Sequence, residues 1–224
     1  MEFDVELVRM AIIYLATLIL SISIHEFGHA FVADRLGDPL PRAQGRVTLN
    51  PIAHIDPIGT IAFPLLGFLF AMGGSSLGRF MLGWGKPVQV SLHPARMTRR
   101  FRAKTAHLFI AAAGPMMNLL LAAIASALYL LLLQAQVSDR GLVVGLIQMN
   151  IGLALFNLIP CPPLDGGTIF AGLAPDRSPV VAFLQRHGQM IFFALLFTGL
   201  ISILMRPVHW LTYLWIGQLQ QWAP

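Results

Sequence analysis

Long apolar stretches separated by short polar ones dominate the chain. They lie at residues 7–33, 58–70, 106–133, 142–159, 190–205 and 208–222. A transmembrane helix needs about 20 apolar residues, so the stretches at 7–33 and 106–133 are the clearest spans. The pattern predicts an all-α polytopic membrane protein with about five or six transmembrane helices. We expect one domain over residues 1–224, with a core at about 7–175 and C-terminal helices at about 188–222.

Two polar stretches decide the predicted topology. The first, at residues 38–57, contains too many prolines and glycines for a long helix, and GRVTL at 45–49 is a candidate short strand. The second, at 79–104, has seven Lys or Arg and no acid, which indicates a cytoplasmic loop. If both are cytoplasmic, residues 58–83 form a re-entrant hairpin, because they are too few for two crossings. The alternative is one crossing, with one of the loops misplaced.

The last apolar stretch, at 208–222, is either a further span or a helix lying at the membrane interface. It carries three tryptophans and a tyrosine, and these residues concentrate at membrane–water interfaces. At the other end of the chain, Glu2, Asp4 and Glu6 do not fit a cleavable signal peptide. We therefore expect the first apolar stretch to remain in the mature protein, with its start facing away from the cytoplasm.

Composition excludes an ordinary soluble domain. Hydrophobic residues make up 56% of the chain and charged residues only 11%, whereas soluble domains have about 25% charged residues. Because Cys161 is the sole cysteine, neither an intrachain disulfide nor a multi-cysteine zinc site can form. The net charge of +5 does not indicate nucleic-acid binding, because seven of the 15 basic residues lie in one acid-free stretch beside apolar sequence, as in a cytoplasmic loop.

The first apolar stretch carries the run HEFGH at residues 25–29. His25 and His29 are four residues apart, so on a helix they share one face and can bind one zinc ion. Glu26 can accept a proton from a water that the ion activates, as in the H-E-x-x-H arrangement of zinc proteases. The alternative is that these side chains only pair with one another or with a neighbouring helix. A charged side chain inside a transmembrane helix costs about 2.5–3.5 kcal/mol, which favours a functional role.

A catalytic zinc site needs a third protein ligand. Glu2, Glu6 and Glu26 are the only glutamates in the chain, so no later glutamate can serve. Arg35 stands where the metzincin pattern requires a third histidine. The remaining acid at membrane depth is Asp165, in PLDGG at the end of an apolar stretch. It is either the third ligand or part of a turn that ends the helix, which Asp-Gly-Gly would suit.

Two motifs together resemble the site-2 proteases, the intramembrane zinc metalloproteases of peptidase family M50. HEFGH is similar to that family's HExxH, and NLIPCPPLDGG at 157–167 is similar to its second signature. AGPMMN at 113–118 resembles the start of the helix between them, while NPIAHIDPIGT at 50–60 and GWGKPV at 83–88 resemble segments of a compact bacterial subgroup. No stretch of this sequence is polar and long enough for a PDZ domain or a pair of CBS domains, which many relatives carry.

The resemblance implies a three-helix catalytic core with zinc inside the membrane, nearer the cytoplasmic face. It implies His25, His29 and Asp165 as the zinc ligands and Glu26 as the general base. It also implies that Asn157 helps to hold the substrate or to stabilise the oxyanion. The alternative for Asn157 is a hydrogen bond between helices.

His54 and Asp56, in the NPIAHIDP run, are further candidates for the site. They could orient the substrate or pair with the catalytic groups. The alternative is a tight turn built by Asn-Pro and Asp-Pro, which we favour for Asp56. We therefore count His54, together with Glu26 and Asn157, among the candidate catalytic residues.

The sequence thus predicts an intramembrane zinc metalloendopeptidase that cleaves peptide bonds in or near transmembrane segments and holds one Zn2+ per chain. Its partners would be a membrane-protein or peptide substrate and the lipid bilayer. It would reside in a bacterial or archaeal cell membrane, with the active site toward the cytoplasm. An alternative is a membrane metal-binding or transport protein that uses the same cluster, although no inverted repeat is evident. The sequence names neither the substrate nor the oligomeric state.

Overall fold

The computed structural model describes residues 5–72, 83–91 and 103–222. Within these ranges all regular secondary structure is helical, which confirms the predicted all-α class. A turn of 3-10 helix at Pro51–Ala53 and a turn of π-helix at Pro57–Ala62 precede α3. The α-helices are α1 (Val5–Arg35), α2 (Leu40–Ala43), α3 (Phe63–Met72), α4 (Ala103–Gln134), α5 (Gly141–Asn157), α6 (Asp165–Leu173), α7 (Pro179–Phe197), α8 (Leu200–Leu204) and α9 (Arg206–Gln221).

Helices α1, α4 and α5 pack against one another and form the centre of the described structure. Small residues let α1 and α4 approach closely, because a Cβ atom on Gly28 would lie 2.8 Å from both the Ala113 carbonyl oxygen and Met117 Cγ. Toward the α4–α5 turn, the packing continues in a buried apolar cluster that also includes α9. This cluster consists of Ala125, Tyr129, Val143, Ile147 and Leu219.

Three of the described helices, α1, α4 and α7, are long and apolar enough to cross a membrane. Helix α5 is shorter, at 17 residues, and so is the apolar segment at 57–70. Large apolar side chains such as Leu131, Phe193 and Phe197 are exposed on the helix surfaces, and a lipid environment would cover them. The chain is therefore an all-α polytopic membrane protein, and the spans predicted at 7–33 and 106–133 correspond to α1 and α4.

The strand predicted at residues 45–49 is wrong. These residues are irregular, and no described segment pairs with them as a second strand. Their backbone is fixed locally instead, since the ring of His54 binds the Thr48 carbonyl oxygen at 2.8 Å and Thr48 Oγ1 accepts a bond from the Asn50 amide at 3.2 Å. A strand requires a partner for its ladder, and here the side chains of the loop take that place.

The segment at 58–83 begins and ends at the same level of the structure. The Trp84 amide donates to the Gly59 carbonyl oxygen at 3.2 Å, and the Lys86 amide donates to the His54 carbonyl oxygen at 2.8 Å. A single crossing would place the two ends on opposite sides of a hydrocarbon layer of about 30 Å. The contact between Gly59 and Trp84 therefore agrees with the re-entrant hairpin. Residues 79–82 and 92–102 of the predicted basic loop lie outside the described residues.

The C-terminal helices differ in their limits from the prediction. Helix α7 begins at Pro179, before the predicted 188, because Ser178 caps its start and proline suits the first turn. The apolar run at 190–205 is not one helix, since Gly199 adopts a φ of 75° and separates α7 from α8. Helix α9 has 16 residues, fewer than the about 20 of a full crossing. This length favours the interfacial alternative for the last apolar stretch.

Candidate metal centre

Helix α1 places His25 and His29 on one face, one turn apart. Their Nε2 atoms are 3.0 Å from each other, and both residues are buried. The other ring nitrogens face helix α4: Nδ1 of His25 lies 2.6 Å from Asn118 Oδ1, and Nδ1 of His29 lies 2.7 Å from the Ile110 carbonyl oxygen. Because both partners on α4 are acceptors, each Nδ1 carries the proton. The two Nε2 lone pairs are thus free and directed at the same point.

Asp165 brings a carboxylate to the same point from the other side. It is the first residue of α6 and follows the irregular segment 158–164, so it opens a helix rather than ending one. Its Oδ2 atom lies 3.2 Å from His25 Nε2 and 3.4 Å from His29 Nε2. This oxygen is buried and accepts no hydrogen bond from any described residue. A buried carboxylate oxygen without a donor is costly, which is an arrangement that a bound cation would relieve.

The three atoms fit a tetrahedral zinc ion. Zinc bonds to nitrogen and oxygen are about 2.0–2.1 Å long, so the ligand atoms around a tetrahedral ion are about 3.3 Å apart. The observed separations of 3.0, 3.2 and 3.4 Å are close to that value. Two neutral imidazoles and one carboxylate are also a donor set that catalytic zinc sites use, with a fourth position left open. His25, His29 and Asp165 could therefore hold one zinc ion.

Gly114 of the AGPMMN run leaves space for the imidazole rings of His25 and His29. A Cβ atom on Gly114 would lie 2.6 Å from His25 Cε1 and 2.5 Å from His29 Cε1. Such distances are well inside van der Waals contact, and both rings are locked by bonds to α4. Gly114 in this motif thus leaves the space that the two rings of the candidate metal centre occupy.

We expect Gly114→Ala to weaken zinc binding by at least about tenfold, because the new methyl group displaces the ligand rings themselves, and even the loss of an outer partner of such a ring costs about 10–100-fold in affinity. Zinc affinity of the purified protein, measured by competition with a chromogenic chelator, checks this. Gly152→Ala on α5 is the matched control, since a Cβ atom there would have open space around it. Zinc affinity equal to that of the unmodified protein in Gly114→Ala would contradict the arrangement.

Glu26 points toward the returning segment at 83–88. Its Oε2 accepts a hydrogen bond of 3.1 Å from the Val88 amide. Gly85 lies between Glu26 and the loop that contains His54, because a Cβ atom there would be 3.4 Å from Glu26 Cγ and 3.1 Å from the His54 carbonyl oxygen. The GWGKPV run thus lies directly against the candidate general base.

Arg46 and Asp38 fix that returning segment, and no motif in the sequence marks either residue. The guanidinium of Arg46 is buried and donates to the carbonyl oxygens of Ala53, Lys86 and Pro87. Burial lowers the pKa of Arg46, and the negative charge of the nearby Glu26 opposes that shift. The only signal in the sequence is the charged residue inside the GRVTL run, for which the sequence predicts a strand.

Asp38 fixes the far end of the same segment. It is 1% exposed, and its two carboxylate oxygens accept bonds from the backbone amides of Leu40 and Ser91. Nothing in the sequence distinguishes this aspartate from one on a solvated loop. Its partner at Ser91 is 53 residues away, so the contact exists only in the folded protein.

His54 is placed in the loop and not against the metal ligands. Its Nε2 donates to the Thr48 carbonyl oxygen, and burial lowers the pKa of His54 so that the ring is neutral near pH 7. The Nδ1 atom is buried and has no hydrogen-bond partner among the described residues. Asp56 caps the following turn, accepting bonds from the amides of Ile58 and Gly59, as in the turn interpretation. A catalytic role of His54 stays a prediction.

Asn157 lies in the last turn of α5, and its side-chain amide donates to the Leu153 carbonyl oxygen of the same helix at 3.0 Å. This is an intrahelical bond and not the bond between helices that was the alternative. Its role toward the substrate stays a prediction.

Comparison with known proteins agrees with these motifs. The sequence profile of peptidase family M50 matches residues 134–199, a region that includes Asp165 but not the HEFGH run. "Putative zinc metalloprotease YwhC" of Bacillus subtilis is 37% identical over 206 residues, covering 86% of this chain and 83% of the relative. "Putative zinc metalloprotease Rip2" of Mycolicibacterium smegmatis is 31% identical, covering 85% of this chain and 69% of the relative.

No solved structure gives a significant match. The similarity to the Bacillus protein nevertheless extends over most of both chains. The structure also brings the histidines of HEFGH and Asp165 of the second motif together. The chain belongs to peptidase family M50.

Proposed function

We propose that this zinc metalloendopeptidase cleaves peptide bonds in or near transmembrane segments of membrane proteins. The observation that carries the proposal is the convergence of three ligand atoms from α1 and α6 inside a bundle of apolar helices. Glu26 stands next to this cluster in the chain. A protease site at that depth would act on substrates that are themselves in the membrane.

In the proposed reaction, His25, His29 and Asp165 hold one zinc ion per chain. When bound, zinc polarises the scissile carbonyl and lowers the pKa of water toward about 7. Glu26 accepts the proton of the attacking water and passes it to the leaving amine. The Val88 amide holds the Glu26 carboxylate in place before the reaction, through the bond of 3.1 Å.

The substrate would bind in an extended form, because a helix hides its carbonyl groups in hydrogen bonds. The returning segment at 83–88 and the loop around Asn50 are the candidates for the groove that holds it. The amides of Trp84, Lys86 and Val88 bind the protein, and Arg46 binds the carbonyl oxygens of Lys86 and Pro87, so the segment is held beside Glu26. Asn157 and His54 would assist by holding the substrate or stabilising the oxyanion.

We place the site near the cytoplasmic side of a bacterial or archaeal cell membrane. Lys104, at the end of the basic stretch, binds Asp176 and the Ala174 carbonyl oxygen in the α6–α7 link. Ile110, which binds His29, is seven residues from the start of α4, or about 10 Å along the helix. If the basic stretch is cytoplasmic, the metal centre lies within about 10 Å of that side. The proposed partners are the lipid bilayer and a membrane-protein or peptide substrate, with no nucleic acid.

Metal removal tests the proposal. We expect purified protein to contain one zinc per chain, and 1,10-phenanthroline to remove the zinc together with all cleavage of single-span membrane peptides. Added zinc should restore both. The isomer 1,7-phenanthroline, which cannot chelate, is the control. Cleavage that continues after the zinc is gone would contradict the proposal, and zinc uptake into sealed vesicles would support the transport alternative instead.

A further inference from the structure

A chain of buried amides lies behind His25. It joins Ser21 of α1, Asn118 of α4 and Asn150 of α5, and each of these residues is 0% exposed. Asn118 Nδ2 donates to Asn150 Oδ1 at 2.8 Å and to the Ser21 carbonyl oxygen at 3.1 Å. Asn150 Nδ2 donates to Ser21 Oγ and to the Leu146 carbonyl oxygen, both at 2.8 Å. The three core helices therefore meet in one hydrogen-bonded group that touches a proposed metal ligand.

The groups at the two ends of this chain of hydrogen bonds determine which atom donates and which accepts in every bond. The carbonyl oxygens of Leu146 and Ser21 can only accept. The Ser21 hydroxyl gives its proton to the Thr17 carbonyl oxygen at 2.6 Å, so toward Asn150 its oxygen is an acceptor. Reversing the amide of Asn150 would set oxygen against oxygen at both places and would also oppose two NH2 groups at Asn118. The amide of Asn150 thus has one orientation.

That orientation determines the amide of Asn118. Because Asn150 presents Oδ1, Asn118 must present Nδ2 to it, and its own Oδ1 then faces His25 Nδ1 at 2.6 Å. The histidine must donate its Nδ1 proton to this oxygen, which leaves the Nε2 lone pair for the metal. In the apolar interior no water can substitute for a missing partner. The orientation of the Asn150 amide therefore determines that of the Asn118 amide, and the Asn118 amide determines which ring nitrogen of His25 carries the proton.

The two histidines are held in different ways. His29 donates to the Ile110 carbonyl oxygen of α4, which the helix backbone already fixes. His25 donates to a side-chain amide, which can rotate unless something else fixes it. Asn150 and the Ser21 carbonyl oxygen together provide for His25 what the α4 backbone provides for His29, and the bond to Asn150 is the shorter of the two.

We propose that Asn150 is a positioning residue of the metal centre, which sets the orientation of His25 by fixing the amide of Asn118 together with the Ser21 carbonyl oxygen. The proposal rests on the proposed ligand set. Outer partners of metal-binding histidines typically change metal affinity by about 10–100-fold when they are lost. A leucine at this position keeps the shape of the side chain and removes both its acceptor and its donors.

The test is the zinc affinity of the full chain in detergent, measured by competition with a chromogenic chelator. We expect Asn150→Leu to raise the zinc Kd by about 10–100-fold and to shift the visible absorption of the Co2+-substituted protein. Ser126→Ala is the matched control, because it removes an equally buried polar group on α4 that binds Trp215. It should leave the zinc Kd unchanged. An unchanged Kd in Asn150→Leu would overturn the proposal.

A double-mutant cycle separates positioning from general packing. Asn118→Asp presents an oxygen to His25 in either orientation, so it needs no orienting partner. We expect Asn150→Leu not to raise the zinc Kd further when it is made on top of Asn118→Asp, because an aspartate has no donor for Asn150 Oδ1 and loses no hydrogen bond with it. The same loss in both backgrounds would show a packing effect and would overturn the proposal.

Two further measurements keep the test decisive. If Asn150→Leu does not fold, Ser21→Ala removes one acceptor of Asn150 and should raise the zinc Kd by about two- to tenfold, whereas no change would overturn the proposal. Asp165→Asn is measured alongside. Unchanged zinc affinity in Asp165→Asn would show that the ligand set itself is wrong, while its loss there with none in Asn150→Leu would overturn the positioning role alone.

Discussion

Glu26→Gln is expected to lower cleavage by about 10²–10⁴-fold, the usual contribution of a general base, while the protein keeps its zinc. Glutamine retains the size of the side chain and can still accept the bond from the Val88 amide at its oxygen. It cannot take up a proton from water. Because His25, His29 and Asp165 are untouched, their ligand atoms stay together and the metal content should equal that of the unmodified protein.

The comparison is made in cells as well as with purified protein, because the substrate is unknown. Membrane proteomics of cells that carry either version should show fragments that are absent with Glu26→Gln. Glu6→Gln is the control, since it is the same change on the same helix at a site that pairs with Arg9. Cleavage at the unmodified rate in Glu26→Gln would remove this residue from the proposed mechanism.

Sequence alone predicted what depends on local pattern. Helices α1 and α4 are long apolar stretches, and the four-residue spacing of His25 and His29 places both on one face of any helix. The break around Asp165 was also visible, in its prolines and glycines. The structure adds that this break ends with the start of a new helix, α6, and so directs the carboxylate back toward α1.

The residues that sequence missed act through contacts between distant segments. Arg46 binds carbonyl groups 40 and 41 residues away, and Asn150 reaches Ser21 over 129 residues. No periodicity or motif marks such a residue, because its contacts form only when distant segments of the chain pack together. The predicted strand at 45–49 failed for the same reason. GRVTL suited a strand, but none of the described segments pairs with it, and the Arg46 side chain instead binds carbonyl groups of neighbouring segments.

Asp165→Asn is expected to weaken zinc binding by more than the about 10–100-fold that loss of an outer partner costs, because it replaces a ligand. Asparagine keeps the shape of the aspartate and removes its negative charge. Of the proposed ligand set, the two Nε2 atoms, 3.0 Å apart, would then remain. Zinc content after dialysis and the zinc Kd both check this. Asp176→Asn is the control, since that exposed carboxylate binds Lys104 away from the metal centre.

The stability of the same variant gives a second, independent result. Without metal, Oδ2 of Asp165 is a buried anionic oxygen that accepts no hydrogen bond from the residues the structure describes, which destabilises the folded protein. Removing the charge should therefore leave the metal-free protein at least as stable as the unmodified one. Zinc, in contrast, stabilises only a folded state that binds it, so added zinc should raise the Tm of the unmodified protein and not that of Asp165→Asn. Zinc raising both Tm values equally would mean that the third ligand is another residue.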